Sequence, residues 1–262
     1  LDKRELLDEA PFKIPLARDI SPGAWLNWLR KGWEDLRAAP AASLFYGATF
    51  AAMGWLLDLS VGRGEYVLAL MTGFLLIAPF LAVGIYDISR RREQGKTVQL
   101  VPTLTAWRAN APAFGLYAVI LALLLAAWIR VSVVVVALFF TGGMPDFGHL
   151  PIEFLRDPEG LVFLFAYFAT GFGFALLVFA TSVVSIPMLL DRPEMDTLTA
   201  MIVSFGAVRR NFGVMLAWSL AIAVLTGIGI ALAYLGLVLT MPVVGHASWH
   251  AYRDTIVPAE EP

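Results

Sequence analysis

The sequence predicts an all-α fold: a polytopic membrane helix bundle of six transmembrane helices arranged as three hairpins, with amphipathic interfacial helices between them. Three observations predict it. Hydrophobic residues make up 59% of the 262 positions and charged residues only 15%, where a soluble domain carries about 25% charged residues. The mean hydropathy is +0.73. The apolar residues also fall into runs of the length needed to cross roughly 30 Å of hydrocarbon at 1.5 Å per residue.

Residues 1–40 are read as a cytoplasmic segment. It is charged and amphipathic and lacks a signal-peptide core, so the first span is expected to insert uncleaved. Within it, Ser21 and Pro22 suit a helix start. Trp25, Leu29, Trp33 and Leu36 then recur at helical spacing among Arg30, Lys31, Glu34, Asp35 and Arg37. That pattern describes a helix lying in the headgroup plane, tryptophans at the interface, or a surface for a partner protein.

The membrane domain is expected over residues 41–252, with a short cytoplasmic tail at 253–262. The first span covers 41–59 and the second 66–86, closed by "DISRRREQGK". The third, 112–129, passes Arg130 into "VSVVVVALFF", which prolongs it outward or packs outside the membrane. The fourth covers 161–190 and ends at "DRPEMD". Residues 212–252 would make one helix about 60 Å long. Two spans with a turn at the "GIG" of 227–229 fit better, and five spans with a long tilted last helix is the alternative.

Basic residues orient this arrangement, because Lys and Arg accumulate on the cytoplasmic side. Sixteen of the 19 lie before span one, between spans two and three, between spans four and five, or in the tail. Only Arg63, Arg130 and Arg156 fall on the other side, so both termini are expected in the cytoplasm. A repeat is visible as well. "GWEDLRAAPAASLFYG", "TAWRANAPAFGLY" and "SFGAVRRNFGVMLAW" each run through an amphipathic piece and an arginine into an odd-numbered span. Pro79, Pro187 and Pro242 each precede the polar exit of an even-numbered span.

Candidate functional residues gather at the polar ends. His246 and His250, in "GHASWHAYR", share one helical face and are the candidate cofactor ligands. A complete metal site needs a third ligand, and His149 is expected on the opposite side. The other readings are a structural helix end, with Arg253 bonding Asp191 or Asp87, and a proton relay. Trp249 and Tyr252 read as belt residues, and Arg192 belongs to the inner loop. Arg130 reads as a snorkelling side chain or a partner of Asp58 or Glu65. No phosphate-binding glycine loop, zinc-protease motif or nucleophile elbow occurs. No span carries the interior carboxylates of an ion-coupled transporter, and an enzyme is not expected. A net charge of −2 gives no basic excess for nucleic acid, and the absence of cysteine excludes disulfides and thiolate centres.

The pieces "GWEDLRAAP", "APFLAVGIYDISRRREQG", "SVVSIPMLLDR" and "MPVVGHASWHAYR" occur in order along nearly the whole chain. By them the chain resembles the bacterial integral membrane family of domain of unknown function 2189. The resemblance implies a multi-pass protein of the inner membrane of Gram-negative bacteria, and no particular activity. Some members carry a cytochrome c oxidase label. A catalytic oxidase subunit needs about six histidines for its haems and copper, and this chain has three. The expected role is a non-enzymatic accessory subunit or assembly factor without cofactor, packed in the lipid bilayer against a larger membrane complex, a respiratory one among the candidates. A carrier of an apolar or lipid-like molecule, and a metal- or haem-binding protein using His246 and His250, are the alternatives.

Overall fold

The computed structural model describes residues 15–60, 64–140 and 157–257; within the second helical hairpin arm, side chains are described from Ala78 onward, Pro79 excepted. The expectations placed on Glu65, His149 and the outer loop around it lie outside these residues. The elements are α1 (Ala24–Ala38), α2 (Pro40–Ser60), α3 (Gly64–Glu93), α4 (Leu100–Leu104), a 3-10 turn (Ala106–Asn110), α5 (Ala111–Phe139), α6 (Pro158–Ser182), α7 (Ser185–Asp191), α8 (Thr197–Arg210), α9 (Phe212–Ala231) and α10 (Leu237–Thr255). Among the described residues, four helical stretches are long and apolar enough to cross a membrane: Pro40–Ser60, Ala106–Phe139, Pro158–Asp191 and Phe212–Ala231.

The chain forms two compact units, one of Leu1–Ala118 with Ala180–Pro262, the other of Val119–Phe179. In the first unit the polar exits of α3 and α10, together with α7, pack on one another. Residues 83–89, 183–190 and 244–249 are buried without a break, as expected of helix ends surrounded on every side. Around them the chain repeats itself. Two, three and six residues beyond the starts of α2, α5 and α9 stand Ala42, Ser43 and Tyr46; Ala113, Phe114 and Tyr117; and Val214, Met215 and Trp218, all buried. Five and eight residues before those starts stand Asp35 and Gly32, Ala106 and Thr103, and Ala207 and Ser204, again all buried. The three similar sequence segments therefore share one burial pattern.

Two of the junctions are tied by an asparagine. Asn110, before α5, donates Nδ2 to the Met195 carbonyl at 2.9 Å. Asn211, before α9, accepts from the Ile20 amide at 2.9 Å and donates to the Arg18 carbonyl at 3.0 Å. Helix ends follow ordinary capping chemistry. Asp196 accepts from the Thr199 amide at the start of α8. Gly95, at φ +66°, ends α3 in a left-handed residue that lets the Lys96 amide reach the Arg91 carbonyl.

The fourth span is not one helix. It breaks at 183–184, between α6 and α7, because Pro187 has no N–H for the carbonyl one turn earlier and its ring crowds that carbonyl. Ser204 fills the gap: its Oγ donates to the Ala180 carbonyl at 2.8 Å and accepts from the Val184 amide at 3.2 Å. Those are the two groups that an unbroken helix would have joined. Pro79 and Pro242, by contrast, lie inside the continuous helices α3 and α10, so of the three prolines that precede polar exits only Pro187 accompanies a break.

The turn between the last two long helices falls at 232–236 rather than at the "GIG" of 227–229. Ala233 and Tyr234 take the positive φ angles, 53° and 64°, a conformation uncommon outside glycine. Trp55 of α2 holds the turn by donating Nε1 to the Ala233 carbonyl at 2.7 Å. Gly229 serves close packing instead: a Cβ there would meet Leu237 Cδ2 at 2.5 Å.

Helix α10 is the element that α1 and α2 pack against most extensively. The approach is close enough to need glycine. A Cβ on Gly32 of α1 would lie 2.7 Å from the Val243 carbonyl oxygen, and one on Gly47 of α2 would lie 2.1 Å from that of Val238. Small residues at helix contacts are how membrane helices gain packing energy when burial from water contributes little. The buried stripe of α1 is Ala24, Trp28, Gly32, Asp35 and Leu36. The sequence had placed Trp25, Leu29, Trp33 and Leu36 on the face toward the headgroup plane, and of these Leu36 belongs to the buried stripe. Trp28 is sealed in, edge-on to Trp218 at 5.8 Å, while Trp33 is exposed.

In the second unit, Trp128 of α5 packs against Tyr167 and Phe174 of α6, each at 5.6 Å between ring centres. Phe163 is buried among Phe139, Phe140 and Tyr167. Leu123, Leu138, Phe165 and Phe168 face outward. The "VSVVVVALFF" segment prolongs α5, and Arg130 is exposed along it without a carboxylate partner among the described residues. Asp58 is likewise exposed on α2.

Replacing Gly47 by Ala is expected to push α2 off α10 and to lower stability by about 1–3 kcal/mol. Gly115→Ala, where nothing lies within 4 Å of the new Cβ, is expected to be neutral or to stabilise by up to about 1 kcal/mol. Thermal unfolding of the two purified variants in detergent, compared with the parent chain, checks this contrast of sign.

Candidate functional site

Four helices of the first unit bring polar side chains to one buried point. Asp35 comes from α1, Ser43 from the first turn of α2, Ser89 and Arg92 from the end of α3, and His246 and His250 from α10. Asp35, Ser43, Ser89 and His246 are buried. The Asp35 Oδ2 atom accepts from the Ser89 hydroxyl at 2.5 Å and from His250 Nε2 at 2.9 Å. Its Oδ1 pairs with the Arg92 guanidinium. His246 sits between two serines, Nδ1 at 2.8 Å from Ser89 Oγ and Nε2 at 2.9 Å from Ser43 Oγ.

These contacts fix the direction of every proton. Ser89 has one hydroxyl hydrogen and gives it to the carboxylate, so it must accept from His246 Nδ1–H. The neutral imidazole then accepts at Nε2, and the donor is the Ser43 hydroxyl. The result is a directed chain, Ser43 to His246 to Ser89 to Asp35, ending on a carboxylate that also holds a histidine N–H and an arginine. Burial pushes the Asp35 carboxyl up, but the hydrogen bonds from His250 and Ser89 outweigh it and hold the group below the usual carboxylate range.

A second cluster joins the helix ends. Asp87, fully buried, takes Arg90 and Arg91 from its own helix, both at 2.6 Å, and Arg90 reaches on to the Leu190 carbonyl of α7 at 2.7 Å. Asp191 accepts from the Tyr252 hydroxyl at 2.7 Å and from Arg253 at 3.4 Å. Arg253 also pairs with Glu93 at 3.1 Å, and Glu93 accepts from Trp249 Nε1 at 3.0 Å. Of the two partners considered for Arg253, Asp191 is therefore the one it meets, and Asp87 is taken by its own helix. Trp249 and Tyr252 are buried, their rings tilted against one another with centres 5.5 Å apart. They are not belt residues facing lipid.

The segments 16–18 and 255–257 pair beside this cluster. The Arg18 amide donates to the Thr255 carbonyl at 2.9 Å and the Val257 amide to that of Leu16 at 3.1 Å. Trp28 Nε1 donates to Asp254 at 2.7 Å, and Arg192 to the Val257 carbonyl at 2.9 Å.

The sequence singled out His246, His250, Asp87, Asp191, Arg192, Trp249, Tyr252 and Arg253, and all eight fall in these two clusters or the adjoining clasp. Arg130 does not. Asp35, Ser43, Ser89, Arg92 and Glu93 were missed as site residues. The available signal was Gly32, one helical turn before Asp35, and Ala24, two turns before Gly32 on the same face. Among the described residues, no three His, Asp or Glu side chains are arranged to hold a metal ion. Both nitrogens of His246 are engaged by hydroxyls and His250 is turned to Asp35, so this geometry offers no pair of free imidazoles. An open groove of about 380 Å³ lies in the second unit, lined by Trp128, Tyr167, Phe168, Gly171, Phe172 and Ala175.

Several long apolar helices, joined by short amphipathic ones and carrying their polar groups at helix ends, define a multi-pass integral membrane protein. The comparison with protein families agrees: residues 67–191 match the family described as predicted integral membrane protein (DUF2189). The resemblance read from "APFLAVGIYDISRRREQG" and "SVVSIPMLLDR" is thereby borne out. "GWEDLRAAP" and "MPVVGHASWHAYR" lie outside the matched segment. Comparison with curated proteins gave no match, and neither did comparison with solved structures.

Asp35→Ala leaves the buried ends of Arg92 and His250 without their acceptor and is expected to cost roughly 2–3 kcal/mol, with Arg92's partial exposure keeping the loss below that of a fully buried pair. Because the folded carboxyl lies below its ordinary value, its contribution is full at neutral pH and is lost as the pH falls through that lowered value. Unfolding transitions recorded from pH 7 to pH 3 are expected to fall less steeply below about pH 4 in Asp35→Asn than in the parent chain.

Proposed function

We propose that the protein is a non-enzymatic accessory or assembly component that packs against a larger membrane complex. The observation that carries this reading is that the polar groups gathered around Asp35 and His246 are spent on one another. Asp35, Ser43, Ser89, His246 and His250 join four helices through bonds to one another, and much of the exposed surface of the long helices is apolar. Such an arrangement supports a rigid scaffold better than a reacting centre. The oxidase label of some family members makes a respiratory complex the first partner to examine. Solubilised in mild detergent from native membranes, the chain is expected to migrate with other membrane proteins, identified by mass spectrometry. Recovery of the chain alone under every mild condition overturns the reading.

The reading includes a topology of six crossings, α2, α3, α5, α6 with α7, α9 and α10, with both ends in the cytoplasm of the inner membrane. The bonding of Arg18 to Thr255 supports an even number of crossings, and the distribution of Lys and Arg supports the orientation. The chain has no cysteine, so single-cysteine labelling is unambiguous. Thr97→Cys is expected to react with an impermeant maleimide only when the cytoplasmic face is open, and Leu59→Cys only from the opposite face. Labelling of both from one face overturns the topology.

A second reading, a carrier of a lipid-like molecule, draws on the aromatic groove of the second unit. Retention of an apolar small molecule through purification, lost in Gly171→Leu, is its expected mark.

A further inference from the structure

The three repeated segments share an exposed pattern as well as a buried one. Seven residues before the starts of α2, α5 and α9 stand Trp33, Leu104 and Phe205, exposed by 45%, 40% and 49%. Three residues before the same starts stand Arg37, Arg108 and Arg209, all exposed. Among the described residues none of these arginines has a carboxylate partner; Arg108 lies 5.7 Å from the Trp107 ring centre. Most other arginines of the same unit meet a carboxylate: Arg18 at Asp254, Arg30 at Glu34, Arg90 and Arg91 at Asp87, Arg92 at Asp35, Arg210 at Asp19, and Arg253 at Glu93 and Asp191; among the described residues, Lys31, Lys96 and Arg192 do not. The repeat thus keeps the same cation free three times, each time at the same distance from an apolar helix.

In α1 and α8 the apolar residue and the arginine are four apart on a continuous helix, and so lie on one face. In the middle segment Leu104 closes α4 and Arg108 stands in the 3-10 turn. An exposed large apolar side chain with a guanidinium just before a membrane helix matches one chemistry, that of an amphiphile with an anionic head. The apolar group enters the acyl boundary, and the planar guanidinium takes a phosphate through two parallel hydrogen bonds.

We propose that Arg37, Arg108 and Arg209 form three equivalent sites for the phosphate groups of anionic phospholipids, with Trp33, Leu104 and Phe205 seating the acyl side. The proposal rests on the reading that α2, α5 and α9 cross the membrane, which the cysteine labelling above tests separately for α2 and which Leu235→Cys, expected to label from the same face as Leu59→Cys, tests for α9. Its consequence is a preference for anionic over zwitterionic lipid in one leaflet, built up in three steps of about fivefold, or about a hundredfold in all.

The full chain, purified in mild detergent and incubated with equal amounts of phosphatidylglycerol and phosphatidylcholine, is examined by native mass spectrometry. Up to three phosphatidylglycerol molecules per chain are expected to be retained in preference to phosphatidylcholine. The triple variant R37Q/R108Q/R209Q is expected to lose that preference, and each single variant about a fivefold step of it. The variant R30Q/K31Q/K96Q removes the same number of charges elsewhere and is expected to stay within twofold of the parent. Should the triple glutamine variant not fold, R37K/R108K/R209K keeps the charge but not the paired hydrogen bonds, and a partial loss is expected. Equal loss in the two charge-matched triple variants, an unchanged preference in R37Q/R108Q/R209Q, or equal retention of both lipids by the parent chain overturns the proposal. So does an unchanged preference in the lysine variant if that is the only one that folds.

Discussion

One carboxylate organises the first unit. Asp35 stands on the buried face of α1, where an unpaired charge would be costly, and it is tolerated only because α3 and α10 deliver Ser89, Arg92 and His250 to it. The requirement runs both ways. Arg92 and His250 need an acceptor, and His246 can be seated between Ser43 and Ser89 only while Ser89 has somewhere to donate. The contact of α1 with α10 through Gly32 brings the backbones near enough for short side chains to meet. Packing and hydrogen bonding therefore select the same helix arrangement, and each would be weaker without the other.

The threefold repetition explains why the rest of the unit takes the shape it does. Tyr46, Tyr117 and Trp218 occupy the same step of α2, α5 and α9, each fully buried. The repeats then differ in how their central helix is finished. α3 and α10 run through their prolines, while the third breaks at 183–184 and borrows Ser204 to replace the lost hydrogen bond. Only one repeat carries a charge at the step occupied by Asp35; Ala106 and Ala207 stand at the other two. The polar network is thus a departure from the repeat, placed where α1, α2, α3 and α10 meet.

The long apolar helices were legible because hydrocarbon thickness fixes their length, and the cluster around Asp191 because charged helix ends have few other places to go. The meeting of Arg253 with Asp191 could be anticipated from both falling at such ends. The partners of His246 and His250 could not, since Asp35 and His250 are 215 positions apart and no local pattern links them. Trp249 and Tyr252 show a second limit. An aromatic residue near a membrane boundary suits lipid and protein interior alike, and only the presence of Glu93 and Asp191 beside their polar tips decides between them. The turn at 232–236 was missed because Gly229 and Gly236 are used for close approach, while Ala233 and Tyr234 bend the chain.

The pairing of α1 with α10 has a bearing on how the protein is made. Chains emerge from the ribosome in order, so α1 is complete long before the helix that covers Trp28, Gly32 and Asp35 exists. Through that interval an apolar groove and a lone carboxylate stay open at the membrane surface, and closing so long a loop is slow. A chain halted before α10 would keep that face exposed, and exposed apolar surface of this kind is what cellular quality control acts on.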